Sequence, residues 1–302
     1  MNTRFRGVQR REGVLLQGPA GWGEFSPFAE YPPPVAARWL AAATEAATIP
    51  WPQPVRTRVP VNVTVPAVGP QEAHDLVRAS GCTTAKVKVA EPGQAEHEDL
   101  DRVEAVRDAL GPAGAVRVDA NAAWDVDTAA RMITALDRFA LEYVEQPCPA
   151  LEEMARLRRL VDVPLAADES VRMAADPLAI AGLEAADLIV VKVQPLGGVW
   201  PALRVVEQIG LPAVVSSALE TSIGMAAGVA LAAALPELPY ACGLATVTML
   251  EGDVVAEPLV AEGGYLPVRR PAVDETLLER YELTGADARA WLDRLAAAEE
   301  AR

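Results

Sequence analysis

Six charged side chains lie in, or directly after, short apolar runs in the middle of the chain: Lys86, Lys88, Asp119, Glu145, Asp168 and Lys192. Three carboxylates without a neighbouring imidazole or thiolate make an all-oxygen donor set. Such a set suits a hard cation such as Mg²⁺, with Mn²⁺ as an alternative, and disfavours zinc. A buried lysine near other cations loses its proton more readily and can act as a base. These residue types therefore indicate metal-assisted removal of a proton from the carbon next to a carboxylate.

The first two lysines are separated by one residue, so in a strand both point to one face while Val87 and Val89 point to the other. We expect the valines to pack against helices and the lysines to face inward, where two adjacent ammonium groups near a cation leave one of them neutral at neutral pH. Lys192 follows a run too apolar for a solvated strand, so it needs a function or a carboxylate partner. The competing interpretations are solvated lysines on an edge strand and carboxylates that cap helices.

Short β-rich apolar runs alternate with amphipathic helical stretches from about residue 70 onward. Polar residues end successive runs at a spacing of about 25 residues, the length of one βα unit in a (β/α)₈ barrel. The predicted strands cover 84–89, 116–119, 141–145, 165–168, 188–193, 213–217 and, more weakly, 240–244. We therefore predict an α/β fold, a (β/α)₇β-type modified TIM barrel. A doubly wound open sheet is disfavoured because no GxGxxG or Walker sequence follows any run.

Three regions are predicted along the chain. Residues 1–70 mix strand-like runs, prolines and an Ala-rich helix, which predicts a reduced α+β capping domain. Residues 71–250 form the predicted barrel domain with the active site, and residues 251–302 a C-terminal segment that returns to the cap. The apolar stretch 223–235 is shorter than a bilayer span and ends before Pro236, so we expect a buried helix there.

Charge and composition limit the class of partner. The net charge of −15 over 302 residues argues against nucleic acid and anionic membranes, so we expect a small-molecule carboxylate substrate. Three widely spaced cysteines without a CxxC pair favour a reducing, cytoplasmic setting. Nothing in the sequence indicates an oligomeric state. The two histidines, His74 and His97, lie in polar helix-like stretches and are expected at the surface, which leaves acid–base chemistry to lysine, aspartate and glutamate.

The ordered motifs resemble those of the enolase superfamily, its muconate-lactonizing subgroup and, within it, the o-succinylbenzoate synthase family. They are Lys86-Val87-Lys88, Asp119-Ala120-Asn121, Glu145-Gln146-Pro147, Asp168-Glu169-Ser170 and Lys192 in VVKVQPLGG. Residues 5–28 are similar to the capping region of that family, with its mobile loop at 21–28.

This resemblance implies that Lys88 is the acid/base, that Lys192 stabilises an enediolate from the opposite face, and that Lys86 tunes Lys88 and contacts the bound carboxylate. It implies that the three carboxylates, Asp119, Glu145 and Asp168, bind Mg²⁺. Asn121 and Glu169 would support these ligands. The substrate contacts that it implies are Ser216, Ser217, Gly243 and Phe25.

The implied reaction is a hydro-lyase step of menaquinone biosynthesis. A hydroxylated cyclohexadiene carboxylate with a succinyl arm loses a proton and then water to become aromatic. Racemisation of N-succinylamino acids or epimerisation of dipeptides stays open, since it uses the same lysines as two opposed bases. Muconate cycloisomerisation is weakened by the short cap, and a non-catalytic carboxylate-binding barrel has no need for a lysine on each face.

Overall fold

The computed structural model describes residue 1, residues 8–172 and residues 178–302. Residues 5–7 of the opening segment that resembles the family's cap lie outside this part. The N-terminal region begins with an antiparallel hairpin of strands β1 (Val14–Gly18) and β2 (Gly21–Phe25), followed by helix α1 (Pro33–Thr48) and strand β3 (Arg58–Pro60). Residues 21–25 therefore form a paired strand, and the expectation of a loop over 21–28 is wrong for them.

A parallel sheet forms the centre of the molecule, and each strand bonds its neighbour in chain order. Its strands are β4 (Val63–Val65), β5 (Thr84–Lys88), β6 (Ala115–Asp119), β7 (Leu141–Glu145), β8 (Leu165–Ala167), β9 (Leu188–Val191) and β10 (Ala213–Val215). Six of the predicted strands are confirmed to within a few residues. β4 lies in a region where no barrel strand was predicted, because its extended run is only three residues long and ends directly before Pro66.

The predicted seventh strand at 240–244 is reduced to two single-residue bridges, but these bridges close the barrel. The Cys242 carbonyl accepts from the Asn62 amide at 2.9 Å, and the Gly243 amide donates to the Val215 carbonyl at 2.8 Å. One short segment thus lies between the two edges of the seven-stranded sheet. The predicted α/β modified TIM barrel is confirmed.

Helices connect the strands on the outside of the barrel. They are α2 (Pro70–Ser80), α3 (Glu96–Leu110), α4 (Val126–Leu136), α5 (Leu151–Arg158), α6 (Glu169–Arg172), α7 (Ala179–Gly182), α8 (Val199–Ile209) and α9 (Ser222–Ala234). Val87 of β5 lies in the same buried cluster as Val77 and Val103 of α2 and α3, as expected for its outward face. Short 3₁₀ helices cover Asp137–Phe139 and Val247–Met249.

Helix α9 is buried along almost its whole length, which confirms the buried helix expected at 223–235. Among the described residues, no helix is long and apolar enough to cross a membrane. The three cysteines are buried free thiols. The cytoplasmic setting inferred from them stays a prediction.

The C-terminal segment contains strand β11 (Tyr265–Pro267), which pairs antiparallel with β3, and helices α10 (Glu275–Tyr281) and α11 (Gly285–Glu300). Helix α11 packs on α1. Its Trp291 donates to the Glu12 carboxylate at 3.0 Å and meets the Phe25 ring edge-on, with centroids 6.2 Å apart. The chain end therefore contacts the N-terminal region; the domain limits at 70 and 250 stay predictions.

The contact between β2 and α1 requires a residue without a side chain at position 23. A Cβ atom on Gly23 would lie 1.9 Å from the Ala43 carbonyl oxygen. We expect Gly23→Ala to lower the free energy of unfolding by about 1–3 kcal/mol, since backbone must shift to accept the methyl group. Urea unfolding measures the change. Gly182→Ala is the control, because no heavy atom lies within 4 Å of the added methyl group. Equal stability of the two variants would contradict this prediction.

Candidate active site

Strand register places three of the predicted residues side by side. Lys88 is the pairing partner of Asp119 on β6, and Asp119 is the partner of Glu145 on β7. Asp168 directly follows β8, and Lys192 directly follows β9. Parallel strands end at the same rim of a barrel, so these side chains gather there. β5 and β9 are four positions apart in a ring of seven strands and one closing segment, which puts their lysines on opposite walls.

The lysines and carboxylates form buried ion pairs at this rim. The Lys86 ammonium donates to Asp119 at 3.2 Å and to both oxygens of Glu145 at 2.8 and 2.9 Å. Lys88 donates to Asp119 at 2.5 Å, and Lys192 donates to Asp168. Of the 27 lysines and arginines in the chain, these three are the only lysines. Every other cationic side chain is an arginine, which cannot give up its proton near neutral pH.

The pKa values of Lys86 and Lys192 are shifted in opposite directions. Burial would lower the pKa of Lys86, but the Glu145 and Asp119 carboxylates outweigh burial and raise it. Burial lowers the pKa of Lys192 despite the attraction of Asp168. The Lys86 ammonium bonds two carboxylates, so Lys86 is not the member of the Lys86–Lys88 pair that loses its proton readily. The expectation that one lysine of the pair is neutral stays a prediction.

The three carboxylates, Asp119, Glu145 and Asp168, have the donor atoms of a site for a hard cation. Burial, with Asp119 and Asp168 nearby, raises the pKa of Glu145 to about 7. A divalent cation would relieve this accumulation of buried negative charge, and the donors are all oxygens, as Mg²⁺ prefers. In the described part of the chain, however, no three acidic, His or Cys side chains converge as a ligand set. The donor chemistry fits a hard cation, although lysine ammonium groups bond all three carboxylates in this structure.

Asn121 and Glu169 connect neighbouring strand ends. The Asn121 amide oxygen accepts from Lys88 at 2.6 Å, and its amide nitrogen donates to Glu169 at 3.3 Å. Arg172 lies beyond them and was not predicted from the sequence. Its guanidinium donates to Asp168 at 3.1 Å, to Glu169 at 2.6 Å and to the Tyr31 hydroxyl at 3.1 Å. Its position four residues after Asp168, one helical turn, is a signal that could have identified it.

A cavity with about 390 Å³ of space, open to solvent, lies over the lysines. Its polar lining includes three predicted residues, Ser216, Ser217 and Gly243, together with Thr64 and Thr246, which were not predicted. A Cβ atom on Gly243 would lie 2.6 Å from the Ser216 hydroxyl, so a side chain there would fill this end of the cavity. The histidines take no part: His97 is exposed, and His74 is one-third exposed beside Asp75.

The apolar lining consists of Phe28, Ala218 and Leu219, which we call the apolar wall. The structure does not bring Phe25 to the cavity. Side chains alternate between the two faces of β2, and Phe25 lies on the face that packs into the cluster between α1 and α11, where it is fully buried. Phe28, beyond the end of the strand, lines the cavity instead.

Family models match most of the chain. One described as "Enolase C-terminal domain-like" matches residues 70–272, and one described as "Enolase N-terminal domain-like" matches residues 1–47. The chain belongs to the enolase superfamily. The membership predicted from the ordered motifs is therefore confirmed.

Individual members of the superfamily are also similar. The o-succinylbenzoate synthase of Thermobifida fusca is 65% identical over 301 residues, covering 100% of this chain and 94% of that protein. The o-succinylbenzoate synthase of Mycobacterium ulcerans is 50% identical over 299 residues, covering 98% of this chain and 90% of that protein. A solved N-succinyl Arg/Lys racemase from Bacillus cereus has a TM-score of 0.68 and 25% identity, over 76% of this chain and 65% of that protein.

One buried carboxyl group beside the apolar wall makes stability depend on pH. Burial and the neighbouring Glu24 raise the pKa of Glu220 to about 7, from 4.5. A carboxyl group whose pKa is raised by folding stabilises the folded state below pH 4.5, and this contribution is lost as the pH rises through 7. Glu220→Gln mimics the protonated acid at every pH. We therefore expect the unfolding free energy of the variant minus that of the unmodified chain to increase by about 2 kcal/mol from pH 5 to pH 8. Urea titrations across this range measure the difference, and a constant difference would contradict the assignment.

Proposed function

We propose that this protein is an o-succinylbenzoate synthase. It dehydrates 2-succinyl-6-hydroxy-2,4-cyclohexadiene-1-carboxylate to o-succinylbenzoate, a step of menaquinone biosynthesis. The observation that carries the proposal is the 65% identity to the Thermobifida fusca synthase over the full chain. The two lysines on opposite walls of one cavity support it, because they provide the proton transfer that this dehydration needs.

The proposed reaction moves one proton and releases one water molecule. The neutral amine of Lys88 accepts the proton from the ring carbon that bears the carboxylate. The resulting ammonium group then gives this proton to the departing hydroxyl group, which leaves as water while the ring becomes aromatic. Lys192, across the cavity, places a positive charge opposite the negative charge that develops on the substrate. The apolar wall excludes water from the ring, which strengthens these charge interactions.

Asp119, Glu145 and Asp168 are the residues that would hold Mg²⁺ in this proposal, with Mn²⁺ as an alternative. When bound, the cation would draw charge from the substrate carboxylate and make the neighbouring proton more acidic. Asn121 would hold Lys88 in position, since its amide oxygen accepts from the Lys88 ammonium at 2.6 Å. Glu169 and Arg172 would restrain Asp168, because Arg172 bonds both of these carboxylates.

Racemisation of N-succinylamino acids is the second candidate. The structural similarity to the Bacillus cereus racemase supports it, because a racemase can use two opposed lysines to remove a proton from one face and return it to the other. Both reactions begin with removal of a proton next to a carboxylate. They differ in whether the intermediate loses a hydroxyl group or regains a proton.

The assay that tests the function offers the purified protein both substrates with Mg²⁺. We expect ultraviolet absorbance of the aromatic product to rise with the cyclohexadiene substrate, and kcat/KM for dehydration to exceed that for racemisation of an N-succinylamino acid. A chelator should abolish turnover, and added Mg²⁺ should restore it, since the carboxylates alone cannot supply the cation's effect. Faster racemisation than dehydration would reject the synthase assignment.

Substitution of a lysine by arginine separates proton transfer from charge. Lys88→Arg keeps a cation that cannot give up its proton near neutral pH, so it cannot act as the base, and we expect kcat to fall by about 10²–10⁴-fold. Circular dichroism should show an unchanged fold. The matched control is Arg78→Lys, which exchanges the same two residue types at an exposed position on α2. We expect this variant to keep the activity of the unmodified chain. Mg²⁺-dependent turnover in Lys88→Arg within threefold of the unmodified chain would exclude Lys88 as the acid/base.

A further inference from the structure

Arg11, in the segment before β1, connects the two parts of the chain that form the apolar wall. Its guanidinium donates to the Leu219 carbonyl at 3.0 Å, to the Ala218 carbonyl at 3.2 Å and to the Ser26 carbonyl. The same group lies 4.6 Å from the centre of the Phe28 ring, in a cation–π contact. One side chain therefore contacts both the N-terminal side and the barrel side of the wall.

The barrel side of this wall needs such restraint because its backbone is strained. Leu219 has a φ of +65°, in the left-handed region that a branched side chain rarely adopts. Strained backbone persists only where surrounding contacts hold it. The Ala218 amide donates to both oxygens of the Glu220 carboxylate at 2.9 Å, while Arg11 holds the Ala218 and Leu219 carbonyls. Arg11 holds residues 218 and 219 from the N-terminal region, while Glu24 of β2 holds Thr221, whose amide donates to it at 3.1 Å.

We propose that Arg11 is a positioning residue that holds Phe28 against Ala218 and Leu219 and thereby sets the shape of the apolar wall for the substrate's hydrocarbon ring. The part of this proposal that concerns the substrate's ring rests on the proposed function. The restraint of residues 218–219 by Arg11 does not depend on it. Arg11 does not line the cavity and bonds none of the lysines or carboxylates at the strand ends in the described part of the chain. Its effect on catalysis is therefore on substrate binding.

Two substitutions separate the geometry of Arg11 from its charge. Arg11→Met keeps the length of the side chain without donors, and Arg11→Lys keeps the charge but lacks the planar fork that reaches three carbonyls at once. For both we expect KM for the cyclohexadiene substrate and Kd for o-succinylbenzoate to rise by about tenfold, with kcat changed by less than about threefold, because binding common to ground and transition states is lost.

Arg270→Met is the matched control. Arg270 also donates to backbone carbonyls, those of Trp22 and Ala46, and lies 4.0 Å from the centre of the Trp51 ring, but it does not line the cavity. We expect its KM and Kd to stay within about twofold of the unmodified chain. Arg11→Lys with an unchanged KM would overturn the proposal, because charge alone would then suffice. Loss of folding in both Arg11 variants would also overturn it, since Arg11 would then hold the fold and not the wall.

Hydrogen exchange tests the restraint without any substrate. In both Arg11 variants, backbone amides of residues 218–220 should exchange at least about tenfold faster, while Arg270→Met leaves them unchanged. If the unmodified chain neither turns over the cyclohexadiene substrate nor binds o-succinylbenzoate, the proposed function fails, yet faster exchange would still support the role of Arg11 in holding the wall. Unchanged exchange would overturn that role whatever the substrate.

Discussion

The pairing of buried lysines with buried carboxylates is the interaction on which this site depends. Lys86, Lys88 and Lys192 are all less than one-tenth exposed, and so are the carboxylates that they bond. A charge buried without a partner costs several kcal/mol, so removal of one member leaves its partner in an unfavourable position. The barrel meets this constraint through register, because Lys88, Asp119 and Glu145 are aligned partners on three adjacent strands.

Pairing alone does not explain why lysine occurs at these three positions and nowhere else in the chain. Arginine can satisfy a buried carboxylate through two parallel hydrogen bonds, and elsewhere in the chain Arg102 and Arg172 bond the buried carboxylates of Asp99 and Asp168. A site that must bind and release a proton cannot use a guanidinium group. In the proposed reaction Lys88 has to give up its proton, whereas in this structure its ammonium group is paired with Asp119. A cation held by the carboxylates, as proposed, would balance their buried charge when Lys88 is neutral.

The features that the sequence predicted well follow from periodicity. Alternation in β5 placed Lys86 and Lys88 on one face, and the spacing of the βα units brought the acidic residues to the same rim. Features set by distant contacts were predicted less well. The segment 240–244 was predicted as a strand, but it closes the barrel with only two bridges, because it meets the edges of strands that are far away in sequence. Phe25 was predicted to contact the substrate, but Phe28 lines the cavity. The sequence does not show that β2 ends at Phe25, and this end point determines which of the two rings faces the cavity.

The lysines and carboxylates at the strand ends are positioned by different interactions from those that position the apolar wall. The lysines and carboxylates lie in or directly after strands of one continuous sheet, so their relative positions are fixed by backbone hydrogen bonds. The wall forms where a segment from the N-terminal region meets a strained loop after β10, and side-chain contacts hold it. A change in the wall can therefore alter which substrate fits without displacing the acid–base residues.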